Sequence, residues 1–568
     1  MVKNHYSLPG RFMAKGTKDP KPVNCYSLPV LVFLYLFSNC FMLLNNGRYW
    51  DDWCFYGLEG MKAICIGIGS PFEIPIHELI MRAGPVAPLL YHNIVGMTEI
   101  IGIVLFYRSL ILLRVKDSHV FALTAFFALL PYNHVKMNIC CFIYPLGLMF
   151  FLLAVFFFLR AVYGRKVLIR VISLLFFFLG YMFLPSTQVL ALAFFLFLAV
   201  TQEQNDALSL PDFSQRVVRK LLSWLDFLLV PFVYCGVRLA FLLPTGKYAG
   251  HGYREITPGW VLQAPVNLFK VFFYNFVGLW GEVLKPLYSN TGIFEILFIC
   301  VLVLLYVFLR KYRLEEIQSP RKMFYTGLYF FFAGCLAYVL VGILPQFGTV
   351  YTRHQILLKF GTSLIILAGM SLFSSEKVQR GAVAGIIALL VVSNISWQME
   401  YQKSWVKQMA LEQAFAKEKL LAENVNFSVV DNEKEYSEFG GNLSQYCYTG
   451  ILRKIHGTQT RYVINYHDTA NDFNGWTPEQ LAIWNVRDVK DFSHFRYHVY
   501  LDQGSVWLSN TLSLKILYQY YFDKSKLERS LATILRVRVL PYNDKIENYC
   551  TDDDKDCPPN YKAGYKGM

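Results

Sequence analysis

Residues 149–183 read MFFLLAVFFFLRAVYGRKVLIRVISLLFFFLGYMF. Two apolar runs flank a short link that carries Arg160, Arg165, Lys166 and Arg170. A helix needs about 20 apolar residues to cross the hydrocarbon of a bilayer. A cluster of Arg and Lys between two such helices marks a cytoplasmic connection. The stretch therefore predicts two spans, 139–159 and 171–184, joined inside the cell. The whole chain has the matching composition. Of its 568 residues 55% are hydrophobic and only 17% are charged, with 48 Phe and 37 Tyr. The mean hydropathy is +0.35. A water-soluble domain carries about 25% charged residues, so this chain has too much apolar surface for a soluble globule. The net charge of +14 then belongs to topology-setting loops, and nucleic acid is not an expected partner.

Working outward, further spans are predicted at 27–44, 88–113, 119–132, 188–200, 221–243, 293–309, 323–344, 356–373 and 381–395. The total is about eleven. The segment 260–281 is apolar but interrupted by Pro265, Lys270 and Asn275, and reads as re-entrant or interfacial. Under this count the basic connections at Lys116, Arg165, Arg219 and Arg310 all fall inside, as the positive-inside rule requires. Residues 1–26 form a polar tail with Lys3, Arg11, Lys15, Lys18 and Lys21. They lack the pattern of a cleavable signal peptide and are expected in the cytoplasm. Charges gather at helix ends, and no internal repeat is seen.

From 397 to 568 the composition becomes that of a soluble α/β domain. Residues 405–423 read as an amphipathic helix. FSVVDN, RYVINY and ILRVRVLPY read as short strands, with LSQYCYTGILRKI helical between the first two. Thr477 and Pro478 read as the start of a helix. Of the 12 cysteines, Cys550 and Cys557 lie in a polar tail and would be free to pair if that tail is outside. The parity of the spans puts this domain outside, on the side of the first loop, 45–87.

That loop opens NNGRYWDDWCFYG, residues 45–57. Adjacent acids, Asp51 and Asp52, stand among Tyr49, Trp50 and Trp53 where a helix meets water. Asn46, Tyr49, Asp51, Asp52 and Trp53 resemble the first-loop motif of the integral-membrane glycosyltransferases of the GT-C fold, and of O-antigen-modifying glucosyltransferases within it. A second likeness is VYTRHQILL, with Arg353 and His354 at the mouth of a late helix. A third is the layout of many spans followed by an extracytoplasmic domain. The resemblance implies a polyprenyl-phosphate sugar donor approaching from the outer leaflet. It implies a glycan, lipid or protein acceptor and a bacterial inner membrane. No P-loop and no dinucleotide-binding glycine motif is present.

Glycosyl transfer needs a base for the acceptor hydroxyl and stabilisation of the leaving phosphate. Asp51 and Asp52 are the candidate catalytic pair, with Asp52 favoured as base. The other acid would orient a neighbour or hold a divalent cation, Mg or Mn. A helix cap ringed by an interfacial aromatic belt explains the same letters without catalysis. Arg353 and His354, with Lys247 and Arg254 from the glycine-rich loop 243–260, are candidates for the donor phosphate, since Arg offers a planar fork of donors. Snorkelling at a helix end is the plain alternative. Tyr49, Trp50, Trp53, His77 and Glu78 are candidates for sugar or acceptor contact. His77 and Glu78 begin an HExxH-like string, but Met81 stands where its second His would be, so that zinc motif fails. His134, Lys136 and Asn138 mark the second outer turn. A transporter or flippase of lipid-linked saccharides is the competing function; it should show ionisable groups at mid-membrane.

Overall fold

The computed structural model describes residues 27–164, 166–203, 210–245, 248, 256–289, 292–310, 319–423, 425–437, 443–457, 461–465, 478, 481, 486, 489, 492 and 494–542. Lys247, Arg254, Thr477, Cys550 and Cys557 lie outside the described residues. The chain forms two compact units. One comprises Met1–Asp52 with Ile64–Gln402, the other Trp53–Ala63 with Lys403–Met568. The second thus includes a piece of the first loop.

The first unit is helical. Residues 149–183 are the helical hairpin that their pattern predicts, Ile143–Gly164 followed by Val167–Phe183. Gly180 lets the two backbones meet, since a Cβ there would lie 3.2 Å from the Phe151 amide nitrogen. The Ser173 hydroxyl donates to the Ala154 carbonyl across the same seam at 2.7 Å. Phe158 anchors an aromatic core against Phe195, Phe227 and Trp224, with ring centroids 4.8–5.3 Å apart. Arg170 and Asp226 close this bundle with a two-pronged pair, 2.6 and 2.5 Å.

Among the described residues four helices are long and apolar enough to cross a membrane: Gly84–Leu112, Ile139–Val162, Pro320–Val339 and Glu376–Lys417. The number rises to six if each of two bent pairs is one span. The expected eleven is therefore not reached by length. Ser27–Ser38, Asp117–Leu129, Val167–Phe183, Thr187–Gln202 and Leu358–Met370 are apolar but only 10–17 residues long. The first predicted span breaks at Asn39, whose side chain turns back to the Tyr35 carbonyl at 2.9 Å. The segment read as re-entrant, 260–281, lies in Pro258–Tyr288, which is bent by 113° against Ile293–Leu309. A π-helical turn, Phe273–Val277, interrupts it. Phe232, Leu239 and Phe241 are 68–79% exposed, an apolar face suited to lipid.

Glu376–Lys417 is one helix of 42 residues, where the composition suggested a span and a separate amphipathic helix. The second unit carries a four-stranded sheet in the order β2-β1-β3-β4, with β1 Asn426–Asp431, β2 Val463–Asn465, β3 Phe495–Gln503 and β4 Leu535–Pro541. β1 pairs in parallel with β2 and β3, and β3 pairs antiparallel with β4. Helix Gln445–His456 lies in the crossover from β1 to β2, as parallel pairing requires. The predicted strands are β1, β2 and β4. The missed one, β3, is internal. His498 at its centre is buried and bonded to Ser428 of β1 at 2.5 Å, so a polar residue occupies a core position there.

Candidate active site

The first loop is held by one carboxylate. After Tyr49 the chain turns into the short 3-10 helix Trp50–Phe55, with Trp50 in left-handed conformation at φ 45°. Asp52 Oδ2 accepts the Tyr49 backbone N–H at 2.9 Å. Its Oδ1 accepts the backbone N–H of Cys140, from the second outer turn, also at 2.9 Å. Asp52 is fully buried. Burial pushes its carboxyl up to about 7, against the pull of the backbone N–H groups of residues 139, 140 and 49 and of Arg48. His92 adds a second tie between the same loops. Its ring nitrogens lie 2.8 Å from the Asn45 carbonyl and 2.7 Å from that of Met137.

Asp51 and Trp50 are half-buried beside this latch. The Arg353 guanidinium stacks over the Trp50 ring at 5.3 Å, close enough for a cation–π contact. Arg353 and His354 sit in the 3-10 helix Val350–Gln355, which packs on His134–Met137. Arg353 Nε donates to His354 Nε2 at 3.3 Å, and His354 is buried against Tyr338. Asn275, in the π-helical turn, ties these parts together. Its side-chain oxygen accepts from Gln355 at 2.5 Å, its amide donates to the Pro345 carbonyl at 2.7 Å, and its carbonyl accepts from the Tyr132 hydroxyl at 2.9 Å. Segments 45–52, 131–142 and 345–357 thus converge at one place in the first unit.

The aromatic candidates divide differently. Tyr49 is buried, with its hydroxyl 2.6 Å from Asn45 Oδ1 and 2.9 Å from the Tyr401 carbonyl. Trp53 is buried in the second unit, where a Cβ on Gly450 would come within 2.6 Å of its ring. Both pack the interior rather than face a ligand; Trp50 is the one left partly open. His77 is also buried, and Glu78 is half-buried.

A group with little sequence signal lies beneath. Glu99, midway along Ala87–Leu112, accepts from Lys136 at 2.9 Å and from the Tyr35 hydroxyl at 2.5 Å, with Lys359 at 3.8 Å. All three ionic groups are buried. Charges therefore do not all gather at helix ends. One acid faces two lysines, leaving a net positive interior. His134 stacks on Trp397 at 4.0 Å, and its Nε2 has no hydrogen-bond partner among the described residues. The same holds for both amide ends of Asn133 and Asn138. Glu99 and Lys359 could have been found from their isolation, since each is the one charge of its kind in a long apolar run.

Compared with known proteins, the chain matches no family model and no curated protein.

Proposed function

We propose that the chain is a multi-pass membrane glycosyltransferase that moves a sugar from a polyprenyl-phosphate donor to an extracytoplasmic glycan, lipid or protein. The observation that supports this most is the meeting of the acidic loop, Arg353 and the His134–Lys136 turn at one place. A site for this reaction needs a carboxylate beside a cationic, donor-rich surface. On this reading Arg353 holds the donor phosphate. The acceptor oxygen attacks the anomeric carbon, the bond from that carbon to the phosphate oxygen breaks, and the acceptor proton passes to a carboxylate.

Geometry decides between the two acids before pKa does. Asp52, though favoured from the sequence and titrating in a useful range, is closed to solvent and holds a backbone N–H on each oxygen. We assign the base to Asp51 and the positioning role to Asp52. The two acids do not share a Mg or Mn ion, because both Asp52 oxygens already accept backbone N–H groups. In the proposed topology the N-terminus is cytoplasmic, and the site and the C-terminal unit face outward across a bacterial inner membrane.

The test is a transfer assay with purified donor. Asp51→Asn should lose about 10²–10⁴-fold in rate while the protein remains folded. Near-normal transfer by Asp51→Asn would remove this reading of the loop. The transporter reading draws support from Glu99, an acid at mid-helix among lysines. It predicts movement of a labelled lipid-linked saccharide across vesicles without an acceptor, and Glu99→Gln should abolish that movement.

A further inference from the structure

The first loop holds a second chemical cluster, outside the acidic turn. Cys65 comes from helix Leu58–Gly67, Glu73 from the turn Pro71–Glu73 and His77 from helix Ile74–Met81. Gly69, at φ 75°, turns the chain back between the first two, a conformation that favours glycine. Glu73 and His77 then share a face at i,i+4. The result is that Cys65 Sγ, a Glu73 oxygen and a His77 ring nitrogen lie within 4.8 Å of one another. All three residues are at most 3% exposed.

The histidine is set for coordination. Its Nδ1 lies 2.7 Å from the Tyr91 hydroxyl, which leaves Nε2 toward Glu73 Oε2 at 4.0 Å. Metal-bound histidines are held in this way through their other nitrogen. The Phe142 ring walls the cluster at 5.2 Å.

We propose that Cys65, Glu73 and His77 bind one zinc-type divalent ion, with the fourth coordination position left to water or another ligand. Thiolate, carboxylate and imidazole together suit zinc rather than Mg or Ca, which take oxygen ligands. Charge balance favours it as well. A thiolate and a carboxylate cancel a doubly charged ion, so the buried site becomes neutral. Bonds of about 2.0–2.3 Å in a tetrahedron need ligand atoms roughly 3.3–3.8 Å apart, so the three atoms, within 4.8 Å of one another without the ion, draw closer on binding. On binding, the metal–sulfur bond forms and the Cys65 proton leaves to solvent. Because binding releases that proton, zinc affinity should rise with pH. The proposal stands apart from sugar transfer, and the zincin motif plays no part in it.

The test uses the full chain purified in detergent and dialysed against metal-free buffer, then loaded with zinc or cobalt(II) alone. We expect one zinc per chain. The cobalt form should show a thiolate-to-metal charge-transfer band. Cys65→Ser should lose that band, whereas Cys235→Ser, at an exposed thiol, should keep it. Tyr91→Phe removes only a hydroxyl, should fold, and should weaken zinc binding about 10–100-fold. Overturning results are wild type that retains no more zinc than Cys65→Ser, a band that survives Cys65→Ser, or unchanged affinity in Tyr91→Phe. If either variant fails to fold, the outcome read on the other still decides.

Discussion

Asp52 shows how one residue can change role between the chain and the fold. Its carboxyl titrates near 7 in the folded protein against about 3.9 when exposed. Between those values the folded state binds the proton that the unfolded state has released. Stability from this group is complete below about pH 4 and is lost as pH rises through 7. Asp52→Asn should flatten the melting temperature of the detergent-solubilised protein over that interval; a slope identical to wild type would place the carboxylate in water. Arg353→Lys keeps charge but loses the planar fork, and Arg353→Ala loses both. Binding of a short-chain polyprenyl phosphate should fall in the order wild type, Lys, Ala, the last by roughly 10–200-fold; mere snorkelling predicts no change. In the second unit, Lys407 is wholly buried on Asp431 at 2.7 Å, with the Glu433 carbonyl and Ser437. Lys407→Ala leaves that carboxylate uncompensated and should cost about 3–5 kcal/mol, readable as early loss of protease resistance after residue 403.

Between elements, small residues do in the first unit what apolarity alone cannot. Lipid is as apolar as leucine, so helices in a membrane associate by close packing. Pro320–Val339 and Leu358–Met370 pack through Gly327, Gly334 and Gly361. A Cβ on Gly361 would stand 2.5 Å from the Gly327 carbonyl oxygen and from Phe331 Cα, and one on Gly334 would stand 2.8 Å from the Leu357 carbonyl oxygen. Those neighbours are backbone and cannot swing aside. Gly361→Ala should therefore destabilise by about 1–3 kcal/mol. Gly385→Ala, where the new methyl meets nothing within 4 Å, should be neutral or slightly stabilising. Thermal aggregation of the two variants in one detergent checks the contrast. The strand that escaped the sequence reading has the same lesson. Phe495–Gln503 includes Arg496, His498, Asp502 and Gln503, and only its middle is buried. Its place inside the sheet depends on β1 and β4, which lie far away in sequence.

For the molecule as a whole, the proposed function needs the second unit outside, the side given by an odd number of spans with the basic connections inside. A cysteine placed at exposed Lys524 should react with a membrane-impermeant maleimide from outside intact cells, above the wild-type background. Labelling only after permeabilisation would move the second unit, and the outward-facing site with it, to the cytoplasm.

Apolar runs, the basic link at 160–170, three of the four described strands and the candidate acids and arginine were legible from local letters. These are local signals, carried by composition and by periods of two or 3.6 residues. Tertiary structure decided what each functional letter faces. It buried Asp52 under an N–H from residue 140 and left Asp51 half-buried. It turned Tyr49 and Trp53 into packing and set Glu99 between two lysines distant in sequence. It brought Cys65, Glu73 and His77 to one point. Burial and pairing are sums over neighbours from separate segments, and no local pattern in the chain encodes them.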